Sequence, residues 1–176
     1  MTPQHFLTLA IRPALSLLPM RMNSPRAEAL ILAIALQESK LQHRRQMNGG
    51  PARSYLQFER NGVAGVLGHH ASARIAERMC GELDIRPTVE AVYTAIEFHD
   101  VLAAIFGRLL LWTLPDSLPE RGEEDAALHQ YLSAWRPGRP HPEFWKANYT
   151  RAWTAIEGEH HGEGRSGSGQ RSGHSG

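Results

Sequence analysis

The chain has 176 residues, of which 41% are hydrophobic and 21% charged, and its formal net charge is +1. These values predict one globular domain with a substantial core, and they exclude a strongly basic surface for nucleic acid. The single cysteine, Cys80, excludes an internal disulfide. No apolar run approaches the ~20 residues of a membrane span, and the N-terminal apolar section, interrupted at Arg12-Pro13, predicts a short helix and no signal peptide.

After this first helix, Ser24-Pro25 supplies an N-cap and a first-turn proline for a helix that continues to about Lys40. Residues 29–36 are apolar on every face, which is typical of a buried helix. A polar loop follows, and Asn48-Gly49-Gly50-Pro51 is a clear helix breaker. The next stretch, "SYLQFE", predicts a short strand or an extended loop.

Further helical signals occupy most of the remaining chain. They predict a helix from about residue 72, a helix from Thr88 as far as Trp112, a helix over 123–135 and a last helix over about 142–156. Residues 158–176 are rich in Gly, Ser, His and Arg and predict a disordered tail. We therefore expect a mainly α fold with one domain over residues 1–157.

Glu38 is the first candidate for chemistry, because it directly follows the buried apolar run. Burial against apolar neighbours penalises the charged form of a carboxyl group and raises its pKa, which is what a general acid near neutral pH needs. The alternative is a Glu38 side chain that simply points into solvent at the end of a helix.

The order of several motifs resembles that of lytic transglycosylases and goose-type lysozymes. That group has an Ala/Leu-rich helix ending in Glu-Ser and then a Gly-Leu-Met-Gln motif; here Glu38-Ser39 is followed by Ser54-Tyr55-Leu56-Gln57, with Gln57 nineteen residues after Glu38. The family motif Ala-Tyr-Asn-Ala-Gly is matched by residues 134–138, "AWRPG", and the closing helix by "EFWKANYTRAW". The resemblance covers about residues 24–156, and it departs from the family where Ser54 replaces the motif glycine and Trp135-Arg136 replaces Tyr-Asn.

This resemblance implies a single lysozyme-like helical domain, with a short irregular or β segment after the catalytic helix, that degrades peptidoglycan. Glu38 would protonate the β-1,4 linkage between MurNAc and GlcNAc and then act as a base. Ser39 would bond the carboxyl group or the substrate, and Gln57 would fix an N-acetyl or hydroxyl group. Aromatic faces for sugar rings would come from Tyr55, Trp135 and Tyr149, although helical spacing equally allows Trp135 and Tyr149 to pack in the core.

A second carboxylate decides between two reactions. Glu59 is the first acid after Gln57, and strand alternation would place both on one face, where Glu59 could activate water as in a muramidase. Without it the enzyme resembles a lytic transglycosylase, in which the acetamido group and the 6-hydroxyl of the substrate take over. The alternative for Glu59 is a surface ion pair with Arg60 or Arg53.

The expected partners are peptidoglycan glycan strands, with no cofactor and no nucleic acid. No HxxxH, HExxH or CxxC spacing occurs, so we expect no metal site. A wall substrate combined with synthesis in the bacterial cytoplasm without a signal peptide favours a bacteriophage protein, carried in the virion and contacting other virion proteins, over a lysis enzyme. The alternative is a catalytically degenerate, lysozyme-like structural or adaptor protein of a phage particle.

Overall fold

The mainly α fold class is confirmed by a computed structural model, which describes residues 1–160, with side-chain surroundings through residue 158. The last helix continues to His160, so it enters the segment predicted as a tail; the rest of that segment, 161–176, lies outside the described residues. The α-helices are α1 (Pro3–Phe6), α2 (Arg12–Leu17), α3 (Pro25–Ser39), α4 (Arg60–Gly68), α5 (Ala73–Glu82), α6 (Val89–Ala95), α7 (Asp100–Trp112), α8 (Glu124–Trp135) and α9 (Trp145–His160).

The predicted buried helix is α3, which forms the centre of the domain. Ser24 Oγ accepts a hydrogen bond from the Ala27 amide at 3.2 Å, and Pro25 occupies the first turn, so the predicted N-cap is confirmed. Every side chain from Ala29 to Leu36 is buried, and α3 packs most extensively against α9. Each fully buried Leu or Ile contributes about 1.5–3 kcal/mol through the hydrophobic effect, so packing fixes α3 in place.

The N-terminal helix predicted from sequence is confirmed as one nearly continuous element. Thr2 caps α1, a π-helical stretch (Leu7–Ile11) follows, and α2 completes it. It packs against α3, α7 and α9, with Phe6 and Leu15 buried in the shared core. Within residues 1–160, no helix has both the length and the apolar character needed to cross a bilayer.

The segment between α3 and α4 is irregular, as predicted. Two isolated antiparallel bridges, Arg45–Arg53 and Arg53–Phe58, are its β content. The strand alternative for "SYLQFE" is wrong, because Ser54 (φ 64°) and Gln57 (φ 51°) adopt left-handed backbone conformations and fold the stretch into a tight turn. Alternation of side chains therefore does not relate Gln57 to Glu59.

The helix predicted from Thr88 to Trp112 is in fact two helices, α6 and α7. Thr88 caps α6 as expected, accepting from the Ala91 amide at 3.3 Å, but His99 starts a new helix by accepting from the Leu102 amide at 3.2 Å. The break between them holds Glu97, which forms ion pairs with arginines of the irregular segment. Apolar spacing continues across the break, so the sequence pattern did not reveal it.

Candidate active site

Glu38 lies in the last turn of α3 and is half-buried. The hydroxyl of Tyr131, from α8, donates a hydrogen bond to Glu38 Oε1 at 2.7 Å. Tyr131 is itself buried and stacks on Trp145 of α9, with ring centroids 4.9 Å apart and planes at 9°. Among the described residues no Lys, Arg or His forms an ion pair with Glu38. Its hydrogen-bond partner there is the neutral hydroxyl of Tyr131.

The surroundings of Glu38 change its protonation. Burial raises the pKa of Glu38 from 4.5 to about 7; the Tyr131 hydrogen bond opposes this rise, and the nearby negative charge of Glu59 adds to it. Both the protonated and the ionised form of Glu38 are therefore populated near neutral pH. A carboxyl group with this pKa can both donate and accept a proton near neutral pH.

The second oxygen of Glu38 is accessible. Oε2 has no hydrogen-bond partner among the described residues. The fully buried side-chain polar atoms that lack a partner within those residues are Gln130 Oε1 and Trp153 Nε1, and Glu38 Oε2 is not one of them. Glu38 Oε2 is therefore open to solvent, while Tyr131 holds Oε1 from the interior. The carboxyl group is thus held by a hydrogen bond on one side and partly exposed on the other.

Three separated parts of the sequence meet beside Glu38. The Ser39 hydroxyl bonds the carbonyl of Tyr55 at 2.8 Å and accepts from the Leu41 amide at 3.1 Å. Trp135 Nε1, at the end of α8, donates to the carbonyl of Leu56 at 2.8 Å. These bonds hold the turn over residues 54–57 between the ends of α3 and α8, so the structure brings Ser39, Gln57 and Trp135 together at the same end of α3 as Glu38.

Gln57 keeps one polar atom available. Its Nε2 donates to the carbonyl of Ser54 at 2.7 Å, whereas its Oε1 has no hydrogen-bond partner among the described residues and is not one of their fully buried polar atoms. The amide oxygen can therefore accept a hydrogen bond from outside. Binding of an N-acetyl or hydroxyl group by Gln57 stays a prediction.

The backbone around this site is strained. Lys40, Leu41, Asn48, Ser54, Gln57, Asp84 and Arg136 are the non-glycine residues in residues 1–160 with positive φ. All but one of them belong to the segment between α3 and α4 or directly follow Trp135. Such conformations cost about 1 kcal/mol or more each and persist where surrounding contacts enforce them, which is common at functional sites.

Two of the predicted sugar-binding rings face the protein interior. Tyr55 is buried, with the Phe6 ring edge-on at 5.6 Å and the Arg44 guanidinium 4.4 Å from its centroid. Tyr149 is 1% exposed, and its hydroxyl donates to the carbonyls of Pro119 and Glu120. Neither ring offers a face to a sugar; for Tyr149 the structure corresponds to the core-packing alternative. Trp135 remains partly exposed.

Ser39 does not bond the Glu38 carboxyl, because its hydroxyl lies between the carbonyls of Tyr55 and Ala35, at 2.8 and 3.0 Å. It is buried. Its role in the structure is to attach the turn over residues 54–57 to α3.

Glu59 is exposed at the residue before α4. The predicted surface ion pair is not formed: Arg60 pairs with Glu90, and Arg53 pairs with Glu97. Within the described part of the chain Glu59 has no ion-pair partner, and it is close enough to Glu38 to raise the pKa of that carboxyl group.

Tyr131, Gln37 and Phe144 lie at this end of α3 and were not identified from the sequence. Tyr131 precedes Trp135 by one helical turn, so the i, i+4 spacing on α8 was the available signal. Gln37 donates to the carbonyl of His141 and accepts from Asn148 Nδ2, both at 2.9 Å. These bonds fix the turn at Pro142–Phe144 against the last turn of α3, where Phe144 is 53% exposed.

The described residues contain no group of three or more His, Cys, Asp or Glu side chains placed to hold a metal ion. Comparison of the chain with protein-family models, with curated proteins and with solved structures gives no match. The family resemblance therefore rests on the sequence motifs alone.

Proposed function

We propose that this protein degrades peptidoglycan by cleaving the β-1,4 linkage between MurNAc and GlcNAc, with Glu38 as general acid and then base. One observation carries the proposal: a half-buried carboxyl group with a pKa of about 7 is held through Oε1 by Tyr131 and reaches solvent through Oε2. A glycosidic oxygen is a poor leaving group unless it is protonated, and such a carboxyl group supplies the proton near neutral pH.

The backbone supports the motif resemblance at two positions where the residues differ. Ser54 stands at the position of the family's motif glycine and has φ 64°, a conformation that glycine adopts without strain. Arg136 stands at the position of the motif asparagine and has φ 48°, a conformation that asparagine tolerates better than most residues. Both positions thus have a backbone conformation that glycine or asparagine, the residues of the resembling motifs, would adopt with less strain.

The proposed reaction begins with transfer of the Glu38 proton to the glycosidic oxygen. The bond between MurNAc C1 and that oxygen then breaks, and the bonding electrons leave with the oxygen. In the second step the 6-hydroxyl of the same MurNAc, or a water molecule, attacks C1 and returns a proton to Glu38. Gln57 Oε1 is the candidate acceptor for a substrate amide or hydroxyl group.

Glu59 separates these two outcomes. It is exposed, unpaired among the described residues and close enough to interact with Glu38, which suits a base that activates water. Glu59→Gln should lower the rate by roughly 100-fold or more if water attack depends on it. A transglycosylase would keep its rate in this variant and release anhydro-muramyl ends instead of reducing ends.

The decisive experiment is digestion of purified cell wall by wild type, Glu38→Gln and Glu82→Gln. Glu82 is a matched control, because it is a surface glutamate paired with Arg78 within α5. We expect Glu38→Gln to lose about 100- to 10,000-fold in rate and the control to match wild type. Equal rates for Glu38→Gln and wild type would exclude Glu38 as the acid.

The second candidate is a catalytically degenerate structural or adaptor protein of a phage particle. It is favoured by the burial of Tyr55 and Tyr149, which leaves fewer aromatic faces near Glu38 than the resemblance implies. Absence of wall clearing by wild type, under conditions where a known muramidase clears the same wall, would support this candidate.

We also propose that the protein is carried in a virion, because its motifs diverge from those of the resembling enzymes. Mass spectrometry of purified particles should detect the chain at a fixed ratio to the capsid protein. Particles without the chain would contradict a virion role, whether or not the enzyme is active.

A further inference from the structure

Arg108, in the second half of α7, is a buried cation without an acidic partner. Its side chain is 3% exposed, and its Nε donates to the carbonyl of Met22 at 2.9 Å. No carboxylate among the described residues pairs with it, and burial lowers the pKa of Arg108 to about 10, so it remains charged at neutral pH. Buried charges are normally paired, because desolvation costs several kcal/mol.

A second arginine lies on the same aromatic ring. The guanidinium carbon of Arg108 is 5.0 Å from the centroid of Trp112, and that of Arg21 is 5.4 Å from it. The two guanidinium carbons are thus at most about 10 Å apart. This upper bound is comparable to the screening length of ~8–10 Å at 0.1–0.15 M salt, so the two cations repel each other. Arg21, which is exposed, also has no carboxylate partner within the described residues.

The hydrogen bond from Arg108 to Met22 keeps the two arginines close to the same ring. Arg21 belongs to the short 3-10 turn Met20–Met22, and the bond from Arg108 Nε to the Met22 carbonyl holds that turn beside Trp112. The Nη atoms of Arg108 have no partner among the described residues and are not among their fully buried polar atoms. A small part of their surface therefore reaches solvent, since the residue as a whole is 3% exposed.

We propose that Arg21, Arg108 and Trp112 form a binding site for a phosphate-bearing anion. Two guanidinium groups that form no ion pair with a carboxylate of the described residues match the charge of about −2 on a phosphate monoester at pH 7. Each planar guanidinium can donate two hydrogen bonds to phosphate oxygens. The site lies beside Met22, before the start of α3, whereas Glu38 lies at the other end of this helix, so it is separate from the proposed active site.

The test is calorimetric titration of the full chain with inorganic phosphate, with ionic strength held constant by sodium chloride. We expect saturable binding to wild type and a loss of roughly tenfold or more in affinity for Arg21→Gln. Arg78→Gln is the matched control, because Arg78 is a surface arginine in α5. Arg108→Lys keeps the charge but loses the planar fork, so it should also weaken binding; if it fails to fold, the exposed Arg21 variant still decides.

The phosphate could belong to a free compound or to a lipid headgroup. Met20, in the same turn as Arg21, is 91% exposed, so a second arm measures co-sedimentation with vesicles of phosphatidylglycerol or phosphatidylcholine. Response to inorganic phosphate identifies a free phosphate compound, and binding to phosphatidylglycerol alone, lost in Arg21→Gln, identifies a lipid headgroup. The proposal is overturned if wild type shows neither response, or if Arg21→Gln behaves like Arg78→Gln in both arms.

Discussion

The end of α3 and the break between α6 and α7 each hold a poorly exposed glutamate, and their surroundings differ in one respect. Glu97, at the break, is 5% exposed. It accepts a hydrogen bond from Arg45 Nε at 2.6 Å, and Arg53 Nε forms an ion pair with its other oxygen at 3.2 Å. Glu38 has no cation within the described residues, only the neutral hydroxyl of Tyr131.

This difference separates a carboxylate held in ion pairs from one whose protonation changes near neutral pH. Two guanidinium groups compensate the charge of Glu97 and tie the irregular segment to the helices. Arg44 belongs to the same structural cluster, because it donates to the backbone carbonyl of Glu97 at 3.3 Å and pairs with Asp100. At Glu38 the charge is left uncompensated, so burial shifts the equilibrium towards the protonated form.

The largest expected effect is a pH-dependent stability difference between wild type and Glu38→Gln. The pKa of Glu38 is raised in the folded state, from 4.5 to about 7, so the folded protein holds this proton more tightly than the unfolded chain. Ionisation of Glu38 therefore lowers the free energy of unfolding of wild type. This penalty is absent below about pH 4.5, grows as pH rises to about 7 and is then constant. It amounts to about 3 kcal/mol in order of magnitude.

Urea unfolding of both proteins between pH 4 and pH 8 measures this penalty. The free energy of unfolding of Glu38→Gln should gain on that of wild type by about 3 kcal/mol across the range. A constant difference would mean that Glu38 ionises as it does in water, and the contrast with Glu97 would then fail.

Removing the charge of Glu97 should change the free energy of unfolding in the opposite direction. Glu97→Gln leaves Arg45 and Arg53 without their partner and should lower the free energy of unfolding by about 2 kcal/mol; this is less than for a fully buried pair because Arg45 is largely exposed to solvent. Chemical denaturation at pH 7 measures the loss, and the exposed Glu82→Gln should change stability by no more than about 0.5 kcal/mol. A Glu97→Gln protein as stable as wild type would show that the arginine pairs are not structural.

Tyr131→Phe tests the neutral contact of Glu38. The pKa of Glu38 is set first by burial, and the Tyr131 hydrogen bond lowers it, so loss of the hydroxyl should raise this pKa above 7. The alkaline fall in wall-degrading rate should then move to higher pH, and stability should drop by about 1 kcal/mol. A purely structural Tyr131 would give the stability loss with an unchanged pH profile.

Sequence patterns predicted the parts of this site that follow from local physics. The Ser24 cap, the buried length of α3 and the position of Glu38 at its end all depend on residues close in the chain. The Tyr131 and Gln37 contacts join residues about a hundred positions apart, and no local pattern encodes them. The left-handed backbone at Ser54 and Gln57 was also not predicted, because neither residue type favours positive φ as glycine does.

The smallest expected effect concerns two exposed aromatic residues, one in each region. Phe144 is 53% exposed, and the Lys40 ammonium, just after α3, lies 5.9 Å from its centroid. Phe98, in the break beside Glu97, is 72% exposed. If glycan strands bind at the Glu38 end of α3, Phe144 is the aromatic face that replaces the buried Tyr55 and Tyr149.

Phe144→Ala should therefore raise KM for soluble glycan fragments about three- to tenfold and leave kcat within about twofold, because a lost ring contact is worth roughly 0.5–1.5 kcal/mol in binding. Phe144→Trp should restore KM, and Phe98→Ala should leave both constants unchanged. A general loss of folding would lower kcat as well and would not be rescued by tryptophan. Equal effects of the two alanine variants on KM would place the glycan elsewhere, because a ring beside the ion-paired Glu97 would then matter as much as a ring near Glu38.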